Sequence, residues 1–122
     1  MQIEIETIDD SQFKELAAAA FDRIEDALEK AFDENDLDVD IERQGSSVLN
    51  IKFPNKTVIV VNMQTPLHEL WVAAKEGGFH YRWAGTEAQP SWVDTKSGAE
   101  LFTELSRMAT AQAQTPLSIR WD

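Results

Sequence analysis

The chain has 122 residues, no cysteine, and 22 acidic against 11 basic side chains, a formal net charge of −11. That length fits one domain, and 43% hydrophobic content supplies its core. The acidity disfavours nucleic acid and anionic membranes as partners, and the lack of cysteine excludes disulfides, thiolate metal sites and thiol catalysis.

The acidic start Met1-Gln2-Ile3-Glu4 lacks the form of a signal or transit peptide, and no apolar run is long enough to span a membrane. A soluble protein of a reducing compartment is expected. Residues 1–9 read as an extension and 10–122 as one domain. Asp9 and Gln12 have the spacing of a capping box. Apolar residues then recur at Phe13, Leu16, Ala17, Ala20, Phe21, Ile24, Leu28 and Ala31, which predicts an amphipathic helix over 11–33. After Asn35 the period becomes two. Leu37, Val39 and Ile41 alternate with Asp36, Asp38, Asp40 and Glu42, which predicts a strand.

Further strands are predicted at 48–53, 57–62, 79–83 and 91–94, and at 68–74, where the pattern suits helix or strand and strand is favoured, with turns at 44–47, 54–56 and Gly77-Gly78. Ser97 and Glu100 read as a capping box opening a second helix, whose apolar set is Leu101, Phe102, Leu105, Met108 and Ala109. Leu117–Trp121 reads as a short tail that pairs or packs. Two one-sided helices need one shared apolar surface. The expected fold is therefore α+β, a two-layer sandwich with both helices on one face of an antiparallel sheet of about six strands.

The charge is localised. Residues 1–42 carry 15 acids and three bases, a net −12, whereas residues 43–122 carry seven acids and eight bases, a net +1. On a wheel of 100° per residue, Glu15, Asp22, Asp26, Glu29 and Asp33 fall within about 60° of each other, opposite the apolar stripe. Asp36, Asp38, Asp40 and Glu42 share the polar side of the following strand. Such carboxylates suit hard cations, held weakly and hydrated, because a helical row cannot wrap several oxygens around one ion. The same ridge suits a basic protein surface. A merely solubilising face is the plainer alternative.

His68 and His80 stand in no HxxxH or HExxH pattern, and no nucleophile triad or phosphate loop is present. No residue set for turnover emerges, so an enzyme is not expected. Trp83 and Trp92 read as core. Trp71 alternates away from Leu70 and Val72, which makes it either a partner anchor or a residue covered by another sheet side chain.

The segment Asn62-Met63-Gln64-Thr65-Pro66-Leu67-His68-Glu69-Leu70-Trp71-Val72-Ala73 resembles the frataxin family. Lys75-Glu76-Gly77-Gly78-Phe79-His80-Tyr81, Asp10-Ser11-Gln12-Phe13 and Ser97-Gly98 before Leu101-Phe102 resemble its bacterial CyaY branch. The likeness spans residues 10–120. It implies a bacterial cytoplasmic iron-binding protein of iron–sulfur cluster assembly, one that modulates the cysteine desulfurase or donates iron. It implies Fe²⁺ and Fe³⁺ bound weakly and reversibly, with no organic cofactor. The iron–sulfur scaffold protein is a further implied partner, and the chain is expected to be a monomer with iron-dependent oligomers. The family's iron carboxylates correspond to Asp26, Glu29, Glu34, Asp36, Asp38 and Asp40; Asp22 and Asp33 are added from the wheel. Asp26, Glu29, Asp36 and Trp71 are the expected partner contacts. Lys30 and Phe32 interrupt the acids at the helix end. The alternatives are a metal-independent acidic module docking on a basic partner and, on charge alone, a nucleic-acid mimic.

Overall fold

The computed structural model describes residues 8–86 and 88–121. Apart from Ile8 and Asp9, the expected extension at the start lies outside them. Helix α1 (Asp10–Asn35) is followed by strands β1 (Asp40–Gln44), β2 (Val48–Lys52) and β3 (Val58–Gln64). A short 3₁₀ turn, Thr65–Leu67, leads to β4 (Glu69–Ala74), β5 (Gly77–Trp83) and β6 (Trp92–Asp94), and helix α2 (Leu101–Ala113) ends the order. The six strands run antiparallel in sequence order, a meander.

Phe13, Ala17, Ala20, Phe21, Ile24 and Leu28 are the buried stripe of α1. They join Leu101, Phe102, Leu105, Met108 and Ala109 of α2 in one core with the inward strand residues Leu49, Ile51, Ile59, Val61, Leu70, Val72, Tyr81 and Trp83. Each large apolar side chain so buried contributes about 1.5–3 kcal/mol relative to exposure. Ala17 and Ala20 keep α1 close to the sheet. Trp83 and Trp92 are buried and meet edge to face at 5.4 Å.

The capping box of α1 is present: the Asp9 carboxylate accepts from Gln12 N–H at 2.8 Å, and the Gln12 side chain accepts from Asp9 N–H at 2.9 Å. The start of α2 differs from expectation. Asp94, not Ser97, organises that segment, its carboxylate accepting from the backbones of Lys96 and Ser97. Asp94 N–H also bonds to Ala99 O, and Val93 bridges to Glu100, so the chain is still tied to the sheet there. The helix begins only at Leu101, and Glu100 is its cap, accepting from Phe102 and Thr103 N–H. The expected turn at Gly77-Gly78 is also displaced. Lys75-Glu76 forms the two-residue turn, and both glycines pair within β5, opposite Ala74 and Ala73.

The tail packs rather than pairing as a strand. Leu117 and Ile119 are buried, and Thr110 and Ser106 of α2 satisfy their backbones through side-chain hydroxyls. Trp121 stacks on Phe102 at 4.4 Å.

Tyr81 is the single tyrosine and is fully buried, and its hydroxyl has no hydrogen-bond partner among the described residues. Burial, reinforced by Asp94 and Glu104, pushes its ionisation well above the ordinary 10.0. Below pH 10 the phenol is neutral in both states. Above it the unfolded chain ionises first, so stability falls as pH rises. Tyrosinate absorbance is therefore expected to appear only with alkaline unfolding, as one cooperative step, and Tyr81→Phe to flatten the loss of stability above pH 10 without lowering the midpoint at pH 7. Free titration of the folded protein near pH 10 would contradict this.

Candidate functional site

The exposed side of α1 bears Asp22, Asp26, Glu29, Asp33 and Glu34, all solvent-accessible. The helix ends at Asp36, which takes a left-handed conformation (φ 53°) as its C-cap. Aspartate tolerates that region better than most residues. Leu37 then turns inward and is only 7% exposed, while Asp36, Asp38 and Asp40 remain in solvent.

The expected strand of four alternating acids is therefore corrected. β1 starts at Asp40, so Asp36 caps the helix, Asp38 lies in a tight turn where Val39 N–H bonds Leu37 O at 2.9 Å, and only Asp40 and Glu42 sit on the strand. The reason is the partner. Asp40 pairs with Lys52, the last residue of β2, and the next residue, Phe53, uses its N–H and C=O to close the Phe53–Thr57 turn. Residues 36–39 find no ladder to join, although their inside–outside alternation survives.

The carboxylates divide by their neighbours. Asp22 is engaged by Arg43 at 2.8 Å, and the same guanidinium reaches Glu25 at 3.1 Å. The Asp22 hydrogen bond, ahead of the Glu25 charge, raises the Arg43 ionisation above its ordinary value. Glu42 holds Lys52 at 2.6 Å, and the exposed pair Lys30–Glu34 is a loose 3.9 Å. Asp26, Glu29, Asp33, Asp36, Asp38 and Asp40 make no ion pair among the described residues. They occupy the last turns of α1, the connection and the first residue of β1. No three carboxylate or imidazole groups among the described residues converge as a ready-made metal chelate.

No local pattern in the sequence singles out Arg43. Once Ile41 faces inward, Arg43 two residues on must do so too. At an edge strand that direction leads to the flank of α1, where the exposed Arg43 meets Asp22 and Glu25. Between α1 and β1 the structure also opens a cleft of about 340 Å³ lined by Glu29, Phe32, Asp33, Val39 and Ile41.

Trp71 lies on the other sheet face. It is half-buried, because His80, directly opposite on β5, stacks on it at 4.2 Å with the rings 4° from parallel. Trp71 Nε1 donates to Glu69 Oε1 at 2.8 Å, which fixes the indole along the strand. His68 is separate: it stacks on Phe13 and contacts Asp10 at 2.6 Å, tying the 3₁₀ turn to the start of α1. Neither histidine adjoins the unpaired acids. Among the described residues no helix is long and apolar enough to cross a membrane.

These features define a small α+β sandwich whose polar chemistry lies on its surface: an acidic helix-to-strand edge and an aromatic patch on the open sheet face. A family model described as a frataxin-like domain matches residues 6–115, and the chain belongs to the frataxin family. A protein named iron-sulfur cluster assembly protein CyaY from Janthinobacterium sp. is 46% identical over 112 residues, covering 91% of this chain and 96% of that protein. Its counterpart from Polaromonas sp. is 44% identical over 108 residues, covering 88% and 89%. The solved frataxin from Psychromonas ingrahamii superposes with a TM-score of 0.72 at 33% identity, covering 93% of this chain and 99% of that one.

Proposed function

We propose that this chain is an accessory protein of bacterial iron–sulfur cluster assembly, working in the cytoplasm. It binds Fe²⁺ and Fe³⁺ weakly at Asp26, Glu29, Asp33, Asp36, Asp38 and Asp40, and docks the same edge on a basic surface of the cysteine desulfurase. It binds and regulates rather than catalyses, and it either tunes the desulfurase or delivers iron to the scaffold. Trp71 contributes a second contact on the sheet face. The assembly role named for the CyaY relatives supports this reading. The observation that carries it is the run of exposed carboxylates without a basic partner among the described residues. An unpaired row keeps its oxygens available, so incoming cations or guanidinium groups displace only water. Asp22 and Glu34 start from existing ion pairs and contribute less.

Titration with Fe²⁺ is expected to broaden amide signals of residues 26–40 first and to spare α2. Broadening centred on His68 and His80 would defeat the assignment of the site. Desulfurase binding with no iron effect and no iron uptake would instead favour an acidic module that recognises protein alone.

A further inference from the structure

Phe32 is 46% exposed, an unusual position for a phenylalanine in a helix with a well-buried stripe. The stripe ends at Leu28, and in the final turn the core-facing position goes to the small Ala31. Phe32, 100° further round, falls on the flank above β1. There its ring forms one wall of the cleft, Val39 and Ile41 supply a half-buried apolar floor, and Glu29 and Asp33 stand at the rim. The carboxylates at this rim make no ion pair among the described residues. The cleft therefore joins an apolar floor to a strongly negative border.

We propose that this cleft is an anchor site for a protein segment in which one large apolar side chain is flanked by lysine or arginine. The apolar side chain packs against Phe32, Val39 and Ile41, and the flanking cations meet Glu29 and Asp33. Charge complementarity selects this occupant. A second copy of the chain would bring another net charge of −11 to the same negative border. A purely basic surface would leave the aromatic wall unused, and buried aromatic anchors are what commonly dominate such contacts. The proposal rests on the docking reading above and adds to it the apolar contact that fixes register, while the acids accelerate encounter.

The test measures affinity for purified cysteine desulfurase across a salt series, using wild type, Phe32→Ala, Phe32→Leu and Glu29→Lys with Asp33→Lys. Phe32 is exposed enough that Phe32→Ala should fold, which its thermal transition checks. Phe32→Ala is expected to weaken binding at least tenfold with an unchanged salt slope, and Phe32→Leu to restore most of it. The lysine pair is expected to flatten the slope. Wild-type affinity in Phe32→Ala, with the lysine pair still weakened, overturns the anchor and leaves the docking reading intact. Undetectable binding by wild type overturns both. Loss of concentration-dependent self-association in Phe32→Ala, with desulfurase binding unchanged, would assign the cleft to a second copy and overturn the proposal.

Discussion

Combining Asp26→Lys, Glu29→Lys and Asp36→Asn is expected to weaken desulfurase binding about 100-fold at low ionic strength, and far less in high salt. The first two changes reverse charges on the exposed side of α1, where no described partner is lost. Asparagine is chosen at position 36 because that residue caps the helix at φ 53°, where lysine would add strain to the charge effect. Screening shortens the reach of exposed charges to about 8 Å at physiological salt, so a rim-charge effect must shrink as salt rises. The same variant is expected to lose Fe²⁺ uptake while melting like wild type. An affinity unchanged at low salt would remove the docking role of this edge.

Gln112→Ala is expected to cost about 3 kcal/mol of stability, read as a lowered thermal and urea midpoint. Gln112 is a buried polar side chain of α2, 6% exposed. Its Oε1 accepts from Lys75 N–H at 2.9 Å, and its Nε2 donates to Thr57 Oγ1 at 3.0 Å. Its backbone carbonyl accepts from Asn55 Nδ2 at 2.6 Å. One residue thereby ties α2 to both the β2–β3 and β4–β5 turns. Alanine removes the side-chain partners of two backbone-proximal groups and leaves space beside them. A loss under about 1 kcal/mol would mean that those groups find water without penalty.

Legibility in the sequence followed the range of each interaction. α1, its capping box and its buried stripe were readable because helix period and cap spacing are local. The start of α2 departs from the local signal: Ser97 and Glu100 have a capping spacing, while Asp94 and the Val93–Glu100 bridge hold that segment to the sheet. The turn falls at Lys75-Glu76, which carries no glycine, because the neighbouring glycines pair within β5. That two-residue shift sets the register that puts His80 over Trp71. Of the two readings left open for Trp71, the structure shows the covering: His80 of the neighbouring strand lies over one ring face of the indole.

The sequence by itself determined the fold class and the location of the charge. Periodicity assigns each side chain to a core or solvent face wherever a helix or strand continues, and the excess of acids before residue 43 is a matter of counting. Only the tertiary structure decided which acids have no ion-pair partner among the described residues. Arg43 reaches back across 21 residues to Asp22, Lys52 neutralises Glu42 through cross-strand proximity, and the end of β2 stops β1 at Asp40. Charge pairing depends on distances of about 3–4 Å between side chains remote in sequence, and no local pattern encodes those distances.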